Sequence, residues 1–247
     1  MLLMIMTHEI LQLMQQLRLT GMRATYDGMV SSKNMPSIGH DELLNLLLQA
    51  EWDERENQKA NRRLQNARFR IRASMEEIDF VTPRGINKTQ LLRFSDGSFV
   101  KKAENVLVTG PTGVGKSYIA SALGHLACHM GYRVNYFLAQ KLFAMLRMSK
   151  ADESYARLIK KIERQDLMII DDFGMQPLDE VSRMMLLEVI EDRHQTHSTL
   201  IASQLPVEKW HEVIGESTVA DAIMDRLVHT AHRIELTGES MRKKKKE

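Results

Sequence analysis

One short run constrains this chain more than any other feature. Gly110-Pro111-Thr112-Gly113-Val114-Gly115-Lys116-Ser117 matches the phosphate-binding loop pattern G-x-x-x-x-G-K-[ST] without a mismatch. Glycines at 110, 113 and 115 let the backbone curl until successive N–H groups point at phosphate oxygens. Lys116 supplies a point charge for the β- and γ-phosphates, and the Ser117 hydroxyl is placed to ligate Mg²⁺. Such a loop needs a strand leading in and a helix leading out, with the helix N-terminus facing the anion. Both are legible: 105–109 is a short β-rich apolar run, and 118–130 has helical periodicity ending at Gly131.

The rest of the chain predicts an α/β fold. Candidate strands at 105–109, 133–137, 167–171 and 198–203 alternate with candidate helices near 116–130, 139–148, 153–164, 178–194, 206–214 and 218–229. That alternation implies a mostly parallel sheet covered by helices on both faces, with ligands at the carboxyl ends of the strands. Residues 1–72 instead read as a small all-helical N-terminal domain. A helical pattern covers 7–27, interrupted at Gly21 and Gly28. A polar, Pro-containing loop follows from Ser31 to Gly39. Asp41 reads as the N-cap of a helix continuing to about Arg72. The ATPase-type domain takes 73–247, opening with a connector over 73–104.

A second acidic element completes the nucleotide site. Leu167-Met168-Ile169-Ile170 is an apolar run that delivers Asp171-Asp172 to the sheet edge, the arrangement known as Walker B. Asp171 is placed to hold Mg²⁺ with Ser117, and Asp172 to orient or activate water beside the γ-phosphate. The next strand ends in Ser203-Gln204, where either side chain could sense that phosphate. Arg226 and Arg242 read equally well as surface ion-pair residues or as cations that neutralise transition-state charge.

Net charge is only +2, so its distribution matters more than its sum. Residues 55–72 carry seven cations, Arg55, Lys59, Arg62, Arg63, Arg68, Arg70 and Arg72, against one acid, Glu56. Arg55, Lys59 and Arg63 fall along one side of a helix, which suits a polyanion as well as it suits solvent. A basic tail from Arg242 ends the chain. The single cysteine, Cys128, sits in an apolar helix as core filler, and cysteine poverty fits a reducing cytoplasm. The apolar start, Met1 to Met6, is too short to span a bilayer and lacks a signal peptide's flanks.

The segments GPTGVGKS, LMIIDDFG, ASQLPVEKWHEVIGE and ADAIMDRLVHTAHRIELTGESMRK together resemble the IstB-type transposition helper ATPases. These belong to the AAA+ class and are similar to DnaC-type helicase loaders. The resemblance covers essentially the whole chain, and the segments at 203–215 and 220–243 are its most specific part. It implies ATP at Gly110–Ser117, Mg²⁺ at Asp171, and Asp172 in the catalytic acidic position. Many class members have Glu there, so Asp172 is a shorter arm and implies slow hydrolysis. Ser203 or Gln204 falls at the sensor position, where Asn or Thr is commoner. Arg226 matches an arginine finger at a subunit interface. Arg242 matches a second arginine near the nucleotide in helicase loaders, although the chain is short after Leu227 for the helical lid typical of the class. The resemblance further implies a homo-oligomer with ATP at its interfaces. Such an oligomer assembles on double-stranded DNA with little sequence preference and works with a transposase. Two alternatives follow from the same loop: a replicative helicase loader, and a small P-loop kinase, which the Asp171-Asp172 pair and the basic helix fit poorly.

Overall fold

The computed structural model describes residues 2–32, 39–229 and 231–241. Most of the polar loop expected at 31–39 lies outside them, as do Arg242 and the basic tail. The chain separates into two compact units, Met1–Arg62 and Arg63–Glu247.

The first unit contains α1 (Leu2–Gln16), α2 (Thr20–Ser31) and most of α3 (His40–Ala67). The break between α1 and α2 falls at Leu17–Leu19, not at the expected glycines, because Arg18 takes a left-handed φ of 58°. Gly21 and Gly28 lie inside α2. The N-terminus of α2 has no side-chain cap of its own. Glu51 of α3 serves instead, its Oε2 accepting from the backbone N–H of Gly21 at 2.8 Å and Met22 at 3.3 Å. Asp41 does not cap α3. The helix begins at His40, which puts Asp41 in the first turn, where its charge still favours the helix dipole. At the far end α3 stops at Ala67, earlier than expected, because Arg68 turns left-handed at φ 59°. Arg68, Arg70 and Arg72 are therefore off the helix.

The second unit opens with two short helices within the connector, α4 (Lys88–Leu92) and α5 (Ser98–Lys101). It continues through β1 (Val106–Thr109), α6 (Lys116–His129), β2 (Val134–Leu138), α7 (Ala139–Ala151), α8 (Tyr155–Glu163) and β3 (Leu167–Phe173). It closes with α9 (Glu180–Arg193), β4 (Ser198–Ser203), a 3₁₀ turn, α10 (Trp210–Ile214), α11 (Ser217–Val228) and β5 (His232–Glu235). The strands pair in parallel in the order β2-β3-β4-β1-β5. The expected α/β class and parallel sheet are found, with β5 as an added edge strand.

Alternation along the strands explains the three layers. Val106, Val108, Ile169, Leu200 and Ala202 join the core under α6, with Ile119, Ala120 and Leu123. Leu107, Met168, Ile170 and Ile201 face the opposite core, filled by Leu142, Phe143, Leu186 and Trp210. Cys128 is fully buried, and burial pushes its thiol up to about 12, as expected of inert core filler.

Arg193 is the exception to an apolar interior. It is 1% exposed, and burial pushes its guanidinium down to about 9, against the opposing pull of Asp166. It donates to the carbonyls of Ile162 at 3.0 Å, Gln165 at 2.9 Å and Ser198 at 2.5 Å, and to Thr199 Oγ1 at 3.2 Å. One side chain thus ties the end of α8 to the starts of β3 and β4. Arg193→Ala would strand those acceptors and leave a cavity. The expected loss is about 3 kcal/mol, read as a lowered urea midpoint with an unchanged slope.

Candidate functional site: a phosphate loop beside a bulged acidic strand

β1 occupies an interior place in the sheet and β4 separates it from β3, so the segments after β1 and β3 emerge on the same carboxyl edge. The loop after β1 takes the curled form its glycines permit, with φ of 142° at Gly110, 85° at Gly113 and 105° at Gly115. Gly113 is needed for space as well. A Cβ there would lie 2.1 Å from Ser240 Oγ. Lys116 is 6% exposed, and its Nζ donates to Pro111 O at 2.7 Å, which holds the loop closed on its own cation. Ser117 follows as the second residue of α6, half-buried.

Two flanking segments brace the loop, one that reads from the sequence only as a connector and one that leads to Arg242, where the resemblance implied a second arginine near the nucleotide. Arg84, only 5% exposed, donates to Val114 O at 2.9 Å and to Asp79 O at 2.7 Å. Its guanidinium fixes one loop peptide from behind. On the other side the chain after β5 lies against the loop. Leu236 N donates to Thr109 O at 2.8 Å, Thr237 N to Arg84 O at 2.9 Å and Met241 N to Gly113 O at 2.9 Å. Arg84 sits in a segment that reads as a connector, so only the fold reveals it.

The acidic strand is distorted at its two aspartates. Ile170 pairs with Ile201 and Phe173 with Ser203, so β3 carries one extra residue between the two pairs. The bulge falls on Asp171-Asp172, and Asp172 takes a left-handed φ of 56°. Aspartate is among the few residues that accept this conformation readily. Asp171 is 0% exposed. Its Oδ1 accepts from Asp172 N at 2.9 Å, and its Oδ2 accepts a short hydrogen bond from the Tyr136 hydroxyl on β2. Burial, and then the bond to Asp171, push the Tyr136 phenol up, so it remains a donor. Sequence reasoning missed Tyr136. Its alignment with β3 depends on strand register, Tyr136 opposite Ile169 and Leu138 opposite Asp171. Asp172 lies 3.7 Å from Arg70, and a cleft lined by Gln140, Arg147, Gly174 and Gln176 opens onto it.

The last residue of β4 and the one that follows it separate in role. Ser203 is fully buried, donates to Phe173 O at 2.7 Å and accepts from Leu205 N at 3.1 Å. It joins β4 to the end of β3. Gln204 reaches the loop, its Oε1 accepting from Thr112 Oγ1 at 2.7 Å.

Arg226 lies elsewhere. Its Nη1 donates to Ala222 O at 2.8 Å, and Nε meets the Glu191 carboxylate in a short ion pair. Its carbonyl accepts from Asn105 Nδ2 at 3.1 Å, at the start of β1. The loop begins at the other end of that strand, roughly 15 Å away at about 3.3 Å per residue. Among the basic run, Arg55 pairs with Glu51 at 2.7 Å and Lys59 with Glu56 at 2.7 Å, while Arg62 and Arg63 have no carboxylate partner among the described residues. No group of three His, Cys, Asp or Glu able to hold a metal occurs among the described residues. No helix among them is long and apolar enough to cross a membrane.

Comparison with known proteins agrees with this geometry. The chain is 42% identical over 238 residues to y4pL of Sinorhizobium fredii, named as an insertion sequence ATP-binding protein, covering 96% of this chain and 97% of that one. It is 28% identical to the protein named for insertion sequence IS21 ATP binding in Pseudomonas aeruginosa, covering 97% and 90%. The crystal structure of DnaI shares the fold, with a TM-score of 0.58, 23% identity and coverage of 67% and 92%. That of the DnaC helicase loader gives 0.54, 17%, 60% and 87%. The fold is thus the AAA+ P-loop fold. The family model for the IstB-like ATP binding protein matches residues 12–247, and the chain belongs to that family.

Proposed function

We propose that this protein is a Mg²⁺-dependent ATPase that assembles on duplex DNA and assists a transposase in the cytoplasm. The observation that carries the reading is the phosphate loop set beside the bulged Asp171-Asp172 strand, in a chain of the insertion-sequence ATP-binding family. We assign assembly and partner contacts to the helical residues 1–72, and hydrolysis to residues 73–247.

The residues present fit the metal. A phosphate-bound Mg²⁺ needs only one or two protein oxygens beside waters. The Ser117 hydroxyl, and the Asp171 carboxylate oriented by Tyr136, would supply them. When bound, the ion neutralises charge on the β- and γ-phosphates. The protein does the rest. Lys116 exchanges Pro111 O for phosphate oxygens. The loop N–H groups hold the phosphates in place, and Gln204 stands at the loop rim through Thr112 to sense the γ-phosphate. Asp172 orients a water and accepts its proton as the water oxygen bonds to the γ-phosphorus. The bond from that phosphorus to the β,γ-bridging oxygen breaks, and ADP keeps the electron pair. Arg226 of a neighbouring subunit balances the charge that develops. DNA binding through Lys and Arg contacts to phosphates has little sequence preference and falls steeply with salt.

Asp172→Asn tests both halves. The amide keeps the size but cannot take a proton, so turnover should fall by about 10²-fold or more while ATP affinity stays near wild type. The DNA-bound assembly should then persist. Light scattering with mixed-sequence duplex and ATP reads its mass and lifetime. If ATP with Mg²⁺ changes neither mass nor DNA affinity of the wild type at moderate salt, the proposal fails.

A further inference from the structure

A second cleft lies within the Arg63–Glu247 unit, on the far edge of the sheet from the phosphate loop. It opens at the amino end of β2, whereas the loop leaves the carboxyl end of β1 in the same parallel sheet. It encloses about 430 Å³, enough for a small ligand. Its wall is basic. Arg63 and Asn66 enter from the last turns of α3, Arg68 from the left-handed residue after it, and Lys161 from α8. No Asp or Glu is among the described residues that line it. Arg133 at its edge is already held by Asp166 at 3.0 Å. Arg63, Arg68 and Lys161 have no carboxylate partner among the described residues. The floor holds a polar group. Asn135 lines the cleft at 9% exposure, and its side-chain amide makes no hydrogen bond among the described residues. Buried amides normally find a partner, and this one has two N–H donors to offer a ligand. The carbonyl end of α8 would ordinarily repel an anion. Here Arg193 takes Ile162 O at 3.0 Å and Gln165 O at 2.9 Å, so those carbonyls are already matched to a cation.

We propose that this cleft receives a terminal phosphate group, a phosphomonoester carried by a free nucleotide or by the 5′ end of a DNA strand. Charge and depth both point to that chemistry. A phosphomonoester brings nearly two negative charges and three strong acceptor oxygens. Three unpaired cations at the wall and an amide donor at the floor match them. A guanidinium also grips a phosphate with two parallel N–H donors, which suits Arg63 and Arg68. Depth sets the terminal group apart. Asn135 is nine-tenths buried, so only a group at the end of a chain reaches it. The phosphodiesters of a duplex lie on a broad convex surface and would meet the exposed side chains at the rim alone. The site is therefore distinct from the loop that holds the nucleotide, and from contacts along a duplex backbone.

The test is equilibrium dialysis of the full-length chain carrying Lys116→Ala, which weakens phosphate binding at the loop. Four probes are compared: AMP, adenosine, a four-nucleotide DNA strand with a 5′-phosphate, and the same strand with a 5′-hydroxyl. At least one phosphorylated probe should bind about tenfold or more tighter than its dephosphorylated form, the size of one charge-assisted hydrogen bond. A preference for AMP over adenosine assigns the cleft to a free nucleotide. A preference seen only between the two strands assigns it to a strand end. Adding Arg68→Ala, Lys161→Ala or Asn135→Asp should each remove most of the preference, the last by placing a negative charge on the floor. Arg68 and Lys161 are exposed, so their variants keep the test decisive even where Asn135→Asp fails to fold. Equal binding within both probe pairs overturns the site. A preference that survives undiminished in Arg68→Ala and Lys161→Ala overturns its location in this cleft.

Discussion

Replacing Arg226 with alanine is expected to lower ATP turnover of the DNA-bound assembly by about 10³-fold, the lower end of what an arginine supplied to a phosphoryl-transfer transition state contributes. The reason lies in where the residue sits. Arg226 is fixed at the amino end of β1 through its own carbonyl and Asn105, while the phosphate loop leaves the carboxyl end. No rotamer bridges that gap within one subunit, so any role in hydrolysis is exercised on a neighbour's nucleotide. The side chain is meanwhile parked on Glu191 and Ala222 O, and it must exchange these for the neighbour's phosphate. Isolated subunits of Arg226→Ala should therefore bind ATP as tightly as wild type. Turnover per subunit on duplex DNA, measured against subunit concentration, reads the defect. A complementation assay sharpens it. Mixing Arg226→Ala with Lys116→Ala should recover part of the activity, because some interfaces then join an intact finger to an intact loop. Wild-type turnover in Arg226→Ala would remove the finger assignment.

The second large effect is expected at Lys116 itself. Lys116→Ala deletes the only side-chain cation of the loop, and loss of one partner from a buried charged contact costs about 2–5 kcal/mol. ATP affinity should fall by about 10²-fold or more. Thermal stability gives a clean reading. Ligand at about 100 times its Kd stabilises the wild type by roughly 2.7 kcal/mol, and at that ATP concentration the variant should show almost no shift. The hydrophobic cores of the apo protein should be kept, since neither involves Lys116. A variant that kept the ATP-induced shift would show that another cation, with Arg84 the nearest buried one, carries the phosphate.

Much of the P-loop fold was legible in the sequence because its signals are local. The four apolar strands sit within two residues of their predicted positions, and Gly110–Ser117 marks the loop outright. β5 escaped because His232-Arg233-Ile234-Glu235 is a short edge strand with one buried residue, and period-2 burial has little room to show in four positions. The end of α3 escaped because Arg68 stands where a glycine would have announced a left-handed turn. That single turn decides the fate of Arg70, which the sequence offered as one cation of the basic run and the fold delivers to Asp172. Tyr136 and Arg84 are long-range partners. They become visible only when β2 is registered on β3, and when the connector before α4 is folded back on the loop. The bulge at Asp171-Asp172 also bears on the choice of acid. The left-handed backbone at Asp172 suits aspartate better than the longer glutamate common elsewhere in the class.

The separation of the two ends of β1 has a consequence for symmetry. If the loop of one subunit takes the arginine of the next, the two contacting surfaces are different, and a two-fold dimer cannot satisfy both. Association is then head-to-tail, and it either closes on itself or winds on indefinitely. In a closed ring every nucleotide is completed. In an open helix the last subunit always lacks a donor, so one end keeps its ATP unspent while interior sites turn over. Such an assembly would carry a chemical polarity along the DNA, with a stable end and an eroding body, set by nothing more than the length of one four-residue strand.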